Sequence, residues 1–373
     1  MSEGSRLRRL LGPSSDALVS IYWRAISWWE DSGFWWRRLI VPMFIHPVFR
    51  DNTGNLAEDE LAVVCMVRNG EPWIDEFVKH YRGLGVRRLV FLDNGSSDRT
   101  IEILRDHGEG ITVFRSNLSF SAFRRALKSW MVDRYAGKGW VLVADVDELF
   151  DFPMRGRADL GCLIRYLNER GYSAVVLQML DLFSTESPFG DGSTDGPGDS
   201  IWYDVLGIRD YSVDEKTYPA VRRTLRVTNE AIRVHYGGIQ EQAFGANPLL
   251  TKTVLFRPAA GARFSQEHWV TYATLADFSA VLLHYKFVGD FVGRMRDAVR
   301  RGNYWRRSLH QKKMLEAMER DPSLRLKRET SRRFESIDEL AECGFLVVSD
   351  DYQRAMNLPV FQGERGSRGE GNR

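Results

Sequence analysis

Between Leu61 and Ala144 the chain repeats one pattern: a short apolar run, a polar turn, then apolar residues returning every three or four positions. "LAVVCMV" (61–67) is apolar throughout, as in a strand buried on both faces. "RNGE" follows, and Pro72 falls early enough to open a helix. Trp73, Ile74, Phe77, Val78, Tyr81 and Leu84 then recur at helical spacing, and Gly83 and Gly85 close the run. "RRLVFLDNGSSDRT" predicts a second strand, a polar turn and a helix with Ser97 as N-cap, continued by Ile101 and Leu104. "ITVFR" (111–115) is a third strand, a helix is expected around Ala122–Tyr135, and "WVLVA" (140–144) is a fourth strand. Strand–helix alternation of this kind predicts an α/β fold of Rossmann-like type, a mostly parallel sheet with helices on both faces.

Farther along, "DLGCLIRYLNERG" (159–171) reads as a helix and "SAVVLQMLDLF" as a strand. Residues 184–200 are rich in Gly, Pro and Asp and are expected to form a mobile loop of the kind that covers a site. Short strands are expected around "PAVRRTLRV" and "TKTVLFR", and "SAVLLHYKF" (279–287) is the last clear strand. A basic helical segment carries Arg294, Arg296, Arg300, Arg301, Arg306 and Arg307. The pattern divides the chain into an aromatic and basic extension (1–60), an α/β domain (61–290), a C-terminal helical segment (291–360) and a disordered tail (361–373).

Composition narrows the classes. The chain has 373 residues, 43% hydrophobic and 27% charged, enough for a large core. Its net charge of +2 gives no global argument for a nucleic-acid partner. Cys65, Cys162 and Cys343 are odd in number and widely spaced, as in a reduced cytoplasmic protein. No apolar run approaches a membrane span, and the first residues lack a signal-peptide pattern. Five of the eleven tryptophans, Trp23, Trp28, Trp29, Trp35 and Trp36, fall within residues 21–40 among arginines. That segment suits peripheral contact with the inner face of a membrane, or packing on the main domain or a second subunit.

Chemistry gathers at three strand ends: Arg68–Asn69, Asp93–Asn94, and Asp145 with Asp147 and Glu148. Ligands of parallel sheets bind at the carboxyl ends of the strands. One acidic residue there is an ordinary solvated strand end. Two carboxylates two positions apart on an extended chain point the same way and repel unless a cation lies between them. That favours a divalent cation with oxygen ligands, bridging protein to a nucleotide diphosphate. Asp93 can accept hydrogen bonds from a base or ribose, and Arg68 can meet base or phosphate.

With "RNGEPWIDEFVKHYRGLGV", "DNGSSDRT" and "DVDELF" in place, the chain resembles the family 2 glycosyltransferases of the GT-A fold, in their bacterial branch with a DxDE metal motif. The likeness runs from about Leu61 to the basic segment near Arg307. It implies a nucleoside diphosphate sugar donor, inversion at the anomeric carbon, Mn²⁺ or Mg²⁺ as cofactor, and a role such as polysaccharide biosynthesis. It assigns Val67, Arg68, Asn69, Glu71, Asp93, Asn94, Asp98, Asp145 and Lys252 to the nucleotide sugar, and Asp145, Asp147 and His284 to the metal. The acceptor, a glycan, a lipid-linked glycan or a protein, is left open. So is the catalytic base, for which Glu241 and Glu267 are candidates; His268 could orient the acceptor. Alternatives are a nucleotidyltransferase on a related fold and a non-catalytic binding protein on a decayed scaffold. A dehalogenase-type phosphohydrolase would need a small hydroxyl residue where Leu149 stands.

Overall fold

The computed structural model describes residues 34–50, 56–184, 201–213, 219–302 and 305–357. The expected covering loop lies outside the described residues from 185 to 200, as do the first 33 residues and the tail from 358.

The fold is α/β, built on one large, mostly parallel sheet. Its longer strands are β1 (His46–Phe49), β2 (Leu61–Val67), β3 (Arg88–Asp93), β4 (Ile111–Arg115), β5 (Trp140–Ala144), β6 (Glu148–Asp151), β7 (Ala174–Phe183), β8 (Thr251–Phe256) and β9 (Ala273–Phe287). They lie side by side in the order β1-β4-β3-β2-β5-β8-β7-β9. Neighbours from β4 to β5 run parallel, as do β7 and β9. β8 enters between β5 and β7 antiparallel to both, and β6 pairs antiparallel with β9. All residues of β2, β3, β5, β7 and β8 are buried, which explains their near-continuous apolar sequence.

Helix α1 (Glu71–Gly83) buries five of the six residues that the spacing selects, Trp73, Ile74, Phe77, Val78 and Tyr81; the sixth, Leu84, is buried just beyond its end, before Gly85 at φ +92°. Helix α2 (Thr100–Asp106) starts later than Ser97 would set it. Asp98 takes over the first turn: its Oδ1 accepts from Thr100 N at 3.1 Å and Thr100 Oγ1 at 2.5 Å. Helix α3 (Phe120–Tyr135) matches the expected span within two residues, and α4 (Leu160–Glu169) is capped by Asp159, which accepts from Cys162 N.

Three expectations change. "PAVRRTLRV" forms one helical turn, Pro219–Arg222, and a two-residue strand, Leu225–Arg226, because the Pro at its start favours a turn. The last long strand begins at Ala273, six residues early, since "ATLADF" pairs with β7 and with Leu225–Arg226. Residues 46–49 of the N-terminal extension join the sheet as edge strand β1.

The main core runs from Phe34 to Met356, so Ile337, Leu340, Phe345, Leu346, Tyr352 and Met356 of the C-terminal segment pack on the same interior as the sheet. Helices α5 (Gly238–Phe244), α6 (Phe291–Arg301) and α7 (Trp305–Arg320) enclose a second cluster around Phe183, Phe244, Phe287 and Phe291. No helix among the described residues is long and apolar enough to cross a membrane.

Candidate active site

The carboxyl ends of β2 and β3 face each other across two loops that bind one another. Asn69, at φ +50°, donates its N–H to Ser96 Oγ at 2.9 Å and accepts from Ser97 N at 2.9 Å through Oδ1. Gly70 N donates to Thr100 Oγ1, and a Cβ at Gly70 would come 2.5 Å from Val67 Cγ2, so a glycine is needed there. Glu71 N donates to Asp98 Oδ2 at 3.1 Å, while Glu71 Oε2 accepts from Arg99 N at 3.0 Å. Arg68 is exposed and reaches Asn94 O at 3.4 Å.

Asp93 turns into the second loop rather than toward the open rim. Its side chain is fully buried, accepting from Arg115 Nε at 2.7 Å, Ser96 N at 3.0 Å and Gly95 N at 3.3 Å. It organises the second loop and presents no oxygen to the open rim in this conformation. Asn94 is likewise spent on Ser116 O and Leu118 O.

The end of β5 is different in kind. Asp145, Val146 and Asp147 do not continue as an extended strand; they form a turn closed by Glu148 N donating to Asp145 O at 3.0 Å. The chain then doubles back as β6, which places Glu148 opposite His284 on β9, while His284 is in register with Asp181 on β7. Lys252 arrives on β8 and Lys128 on α3. Lys128 Nζ donates to Asp145 Oδ1 at 3.0 Å and Glu267 Oε2 at 2.6 Å. Lys252 Nζ donates to Glu148 Oε1 at 2.6 Å and lies 3.4 Å from Asp145 Oδ2. The other Glu267 oxygen lies 3.4 Å from Arg124 Nε.

His284 bridges two acids. Its Nδ1 is 2.6 Å from Asp181 Oδ1, and its Nε2 is 3.6 Å from Asp147 Oδ2. Asp181 Oδ2 accepts from Gln240 Nε2 at 2.7 Å, and Gln240 Oε1 accepts from Lys286 Nζ at 2.8 Å.

These pairings set the charges. Burial would raise the Asp145 pKa, but Lys128 and Lys252 outweigh it and hold the carboxyl well below the usual range. Burial also opposes ionisation of Asp147, and His284 reverses the balance, lowering it. His284 would be lowered by burial; the two flanking carboxylates push it up to about 10. Glu148, only 1% exposed, is pushed up by burial despite Lys252. Lys128 is raised, because Asp145 and Glu267 overcome the cost of burial. Repulsion between the aspartates is thus relieved by protein cations, two lysines on Asp145 and one histidine on Asp147. No cation shared between the two is needed for that purpose.

A divalent cation fits one half of this cluster. Among the described residues no three His, Cys, Asp or Glu side chains converge as a metal site. Asp147 and His284 can form a pair of oxygen and nitrogen donors once an ion displaces the proton that His284 Nε2 holds toward Asp147, and Asp181 holds the far ring nitrogen of His284 as a carboxylate does behind a metal-bound histidine. Asp145 fits poorly, since both of its oxygens face lysines.

Of the two candidate bases, Glu267 belongs to the cluster and Glu241 does not: Glu241 lies on α5 and takes Arg209 Nη2 at 2.5 and 2.7 Å. His268 is turned to Thr251 O, and burial lowers its pKa to about 4. Sequence reasoning missed Lys128, Asp181 and Gln240. Arg124 and Lys128 four apart on α3 were a signal for the first; the others sit in apolar strand or ordinary helix sequence and gave none.

No family model matches the chain, and no curated protein does. Among solved structures, S. aureus TarS 1–349 is similar over 70% of this chain and 72% of that one, at 13% identity and a TM-score of 0.35. The same protein in complex with UDP-GlcNAc gives 70% and 72%, 14% identity and 0.36. The mannosyltransferase PcManGT from Pyrobaculum calidifontis, in complex with GDP-Man and Mn²⁺, is similar over 44% of this chain and 46% of that one, at 14% identity and 0.24. Likeness at this level does not bear on activity, which has to be argued from the chain's own residues.

Proposed function

We propose that the chain is a glycosyltransferase of the GT-A, family 2 type, moving a sugar from a nucleoside diphosphate sugar to an acceptor hydroxyl with inversion. The observation that carries this reading is the Asp147–His284–Asp181 relay at the carboxyl ends of the parallel strands, beside two buried lysines. Asp147 and His284 would hold Mn²⁺ or Mg²⁺, the remaining positions falling to diphosphate oxygens and water. When bound, the ion would neutralise charge on the departing diphosphate.

The chain's own residues do the rest. The two interlocked loops after β2 and β3 give a preformed edge for the nucleoside, with Arg68 as its exposed cation and Asp93 as the residue that fixes its shape. Lys128 and Lys252 keep Asp145 ionised; its side chain is 42% exposed, so the lone pairs its lysines leave free could accept a hydroxyl of the donor. Glu267 is the base this reading favours: its side chain is 27% exposed, whereas Glu148 and Asp181 are buried, and Lys128, which holds its pKa down, has to move off Oε2 before it can take a proton. Lys128 and Arg124 aim it, and it takes the acceptor proton as the hydroxyl attacks from the face opposite the diphosphate.

A panel of nucleotide sugars tests this reading. Thermal stabilisation and slow donor hydrolysis should appear with one nucleotide class, depend on Mn²⁺ or Mg²⁺, and vanish with EDTA. Full turnover in EDTA would overturn the metal assignment, and no response to any nucleotide sugar would overturn the reaction class.

A further inference from the structure

Apolar surface is unevenly spread on this molecule. Seven large hydrophobic side chains are exposed among the described residues, and five of them, Trp35, Trp36, Leu39, Met43 and Phe44, fall within ten positions. They are 46% to 78% exposed. The segment is nevertheless well fastened. Phe34, Val41 and Ile45 point inward and are buried. The Arg125 guanidinium lies 3.9 Å over the Phe34 ring, Arg37 lies 5.7 Å over Phe123, and Arg38 pairs with Asp133. All three contacts are with α3. A segment held this firmly while turning five large apolar side chains outward has a surface to meet.

Charge identifies that surface. Residues 34–50 carry Arg37, Arg38 and Arg50 and no Asp or Glu; Asp133 offsets Arg38, and Arg37 and Arg50 remain as exposed positive charges. A second copy of the chain would meet this patch through itself, since a two-fold contact is self-complementary, and would bring two segments of the same positive sign together. A bilayer with anionic headgroups has the opposite character: tryptophan settles at the boundary between headgroups and acyl chains, and arginine reaches back to phosphate. We infer that Trp35, Trp36, Leu39, Met43 and Phe44 form a monotopic membrane-docking surface for anionic lipid. It does not depend on the reaction proposed above.

Its position has a bearing on the site. Helix α3 carries Phe123, Arg125 and Asp133 beneath the patch, and Arg124 and Lys128 toward Glu267 and Asp145. One helix therefore joins the docking surface to the charged cluster, so a membrane-borne substrate would be held near the rim.

Flotation of the full chain with vesicles of phosphatidylcholine and phosphatidylglycerol in equal parts, and of phosphatidylcholine alone, tests the inference. The chain should float with the anionic vesicles and more weakly with the neutral ones. Trp35→Ser/Trp36→Ser should weaken binding about tenfold or more, whereas Leu206→Ser/Tyr272→Ser, exposed apolar residues elsewhere, should bind like the parent. Both pairs are on the surface, so melting temperatures should match; if the tryptophan pair melts early, Leu39→Ser supplies the same reading. Failure of the parent to float overturns the inference. So does parental binding by the tryptophan variant, which would give the lipid contact to residues 1–33, or a dimer of the parent that the variant abolishes.

Discussion

The two halves of the rim are built on opposite principles. After β2 and β3, loops 26 to 28 residues apart satisfy one another mainly with backbone amides, hydroxyls and short polar side chains. After β5, charged side chains meet across 104 and 139 residues, Lys252 on Glu148 and Lys128 on Glu267. The first arrangement fixes shape at modest electrostatic cost. The second puts lysines and carboxylates where desolvation opposes every one of them, and such a cluster is a weak source of stability. Its worth is in holding charge ready for a ligand that brings its own.

Asp147→Asn should break the charged half most severely. Turnover should fall about a thousandfold, the loss of roughly 4 kcal/mol of transition-state stabilisation, with circular dichroism unchanged. Retained turnover would remove Asp147 from the reaction. Lys252→Met leaves Glu148 buried without its cation and should cost about 3–5 kcal/mol in chemical denaturation. Adding Glu148→Gln should return much of that loss, and simple additivity would mean that the pair is not coupled.

The loop half should respond less. Asp93→Asn keeps the shape but weakens the bonds to Arg115 and the loop amides, and should cost about 1.5–3 kcal/mol of stability. A stability equal to the parent's, combined with weaker nucleotide binding, would restore Asp93 to direct nucleoside contact.

The smallest effect is on pH, at a residue outside both halves. Burial lowers the His235 pKa to about 4 from 6.5, so the folded state disfavours the proton that the unfolded state accepts. Stability is therefore complete above 6.5 and falls as the pH drops toward 4. His235→Gln should flatten that limb by about 1–2 kcal/mol at its middle. An unchanged acid limb would assign the loss to carboxylates.

This division also explains what could be read in advance. β2, β4 and β5 begin and end where their apolar runs do, and α1 buries the residues its spacing selects, because neighbours in sequence decide both. The polar loops were visible as loops, but the burial of Asp93 against Arg115 and the loop amides was not, because no pattern tells which side of a loop a carboxylate faces. The Asp145–Asp147 pair was legible as chemistry and misjudged as geometry, since the turn at Val146 depends on β6 finding β9, more than a hundred residues away. Lys128 and Asp181 gain meaning only when α3, β7 and β9 are assembled.

Strand β8 has a consequence for the order in which the molecule can be made. β7 is complete at residue 183, yet it does not lie beside β5; the place between them stays open until residues 251–256 exist. During synthesis the edge of β5 therefore waits for more than a hundred residues, with hydrogen-bonding groups unpaired and Glu148 without Lys252. Closing the sheet and neutralising that carboxylate are one event, brought about by one strand. The β2–β5 half is thus no independent folding unit, however regular its pattern. A nascent chain halted before residue 251 would expose a sticky strand edge, a condition that invites chaperone capture and aggregation.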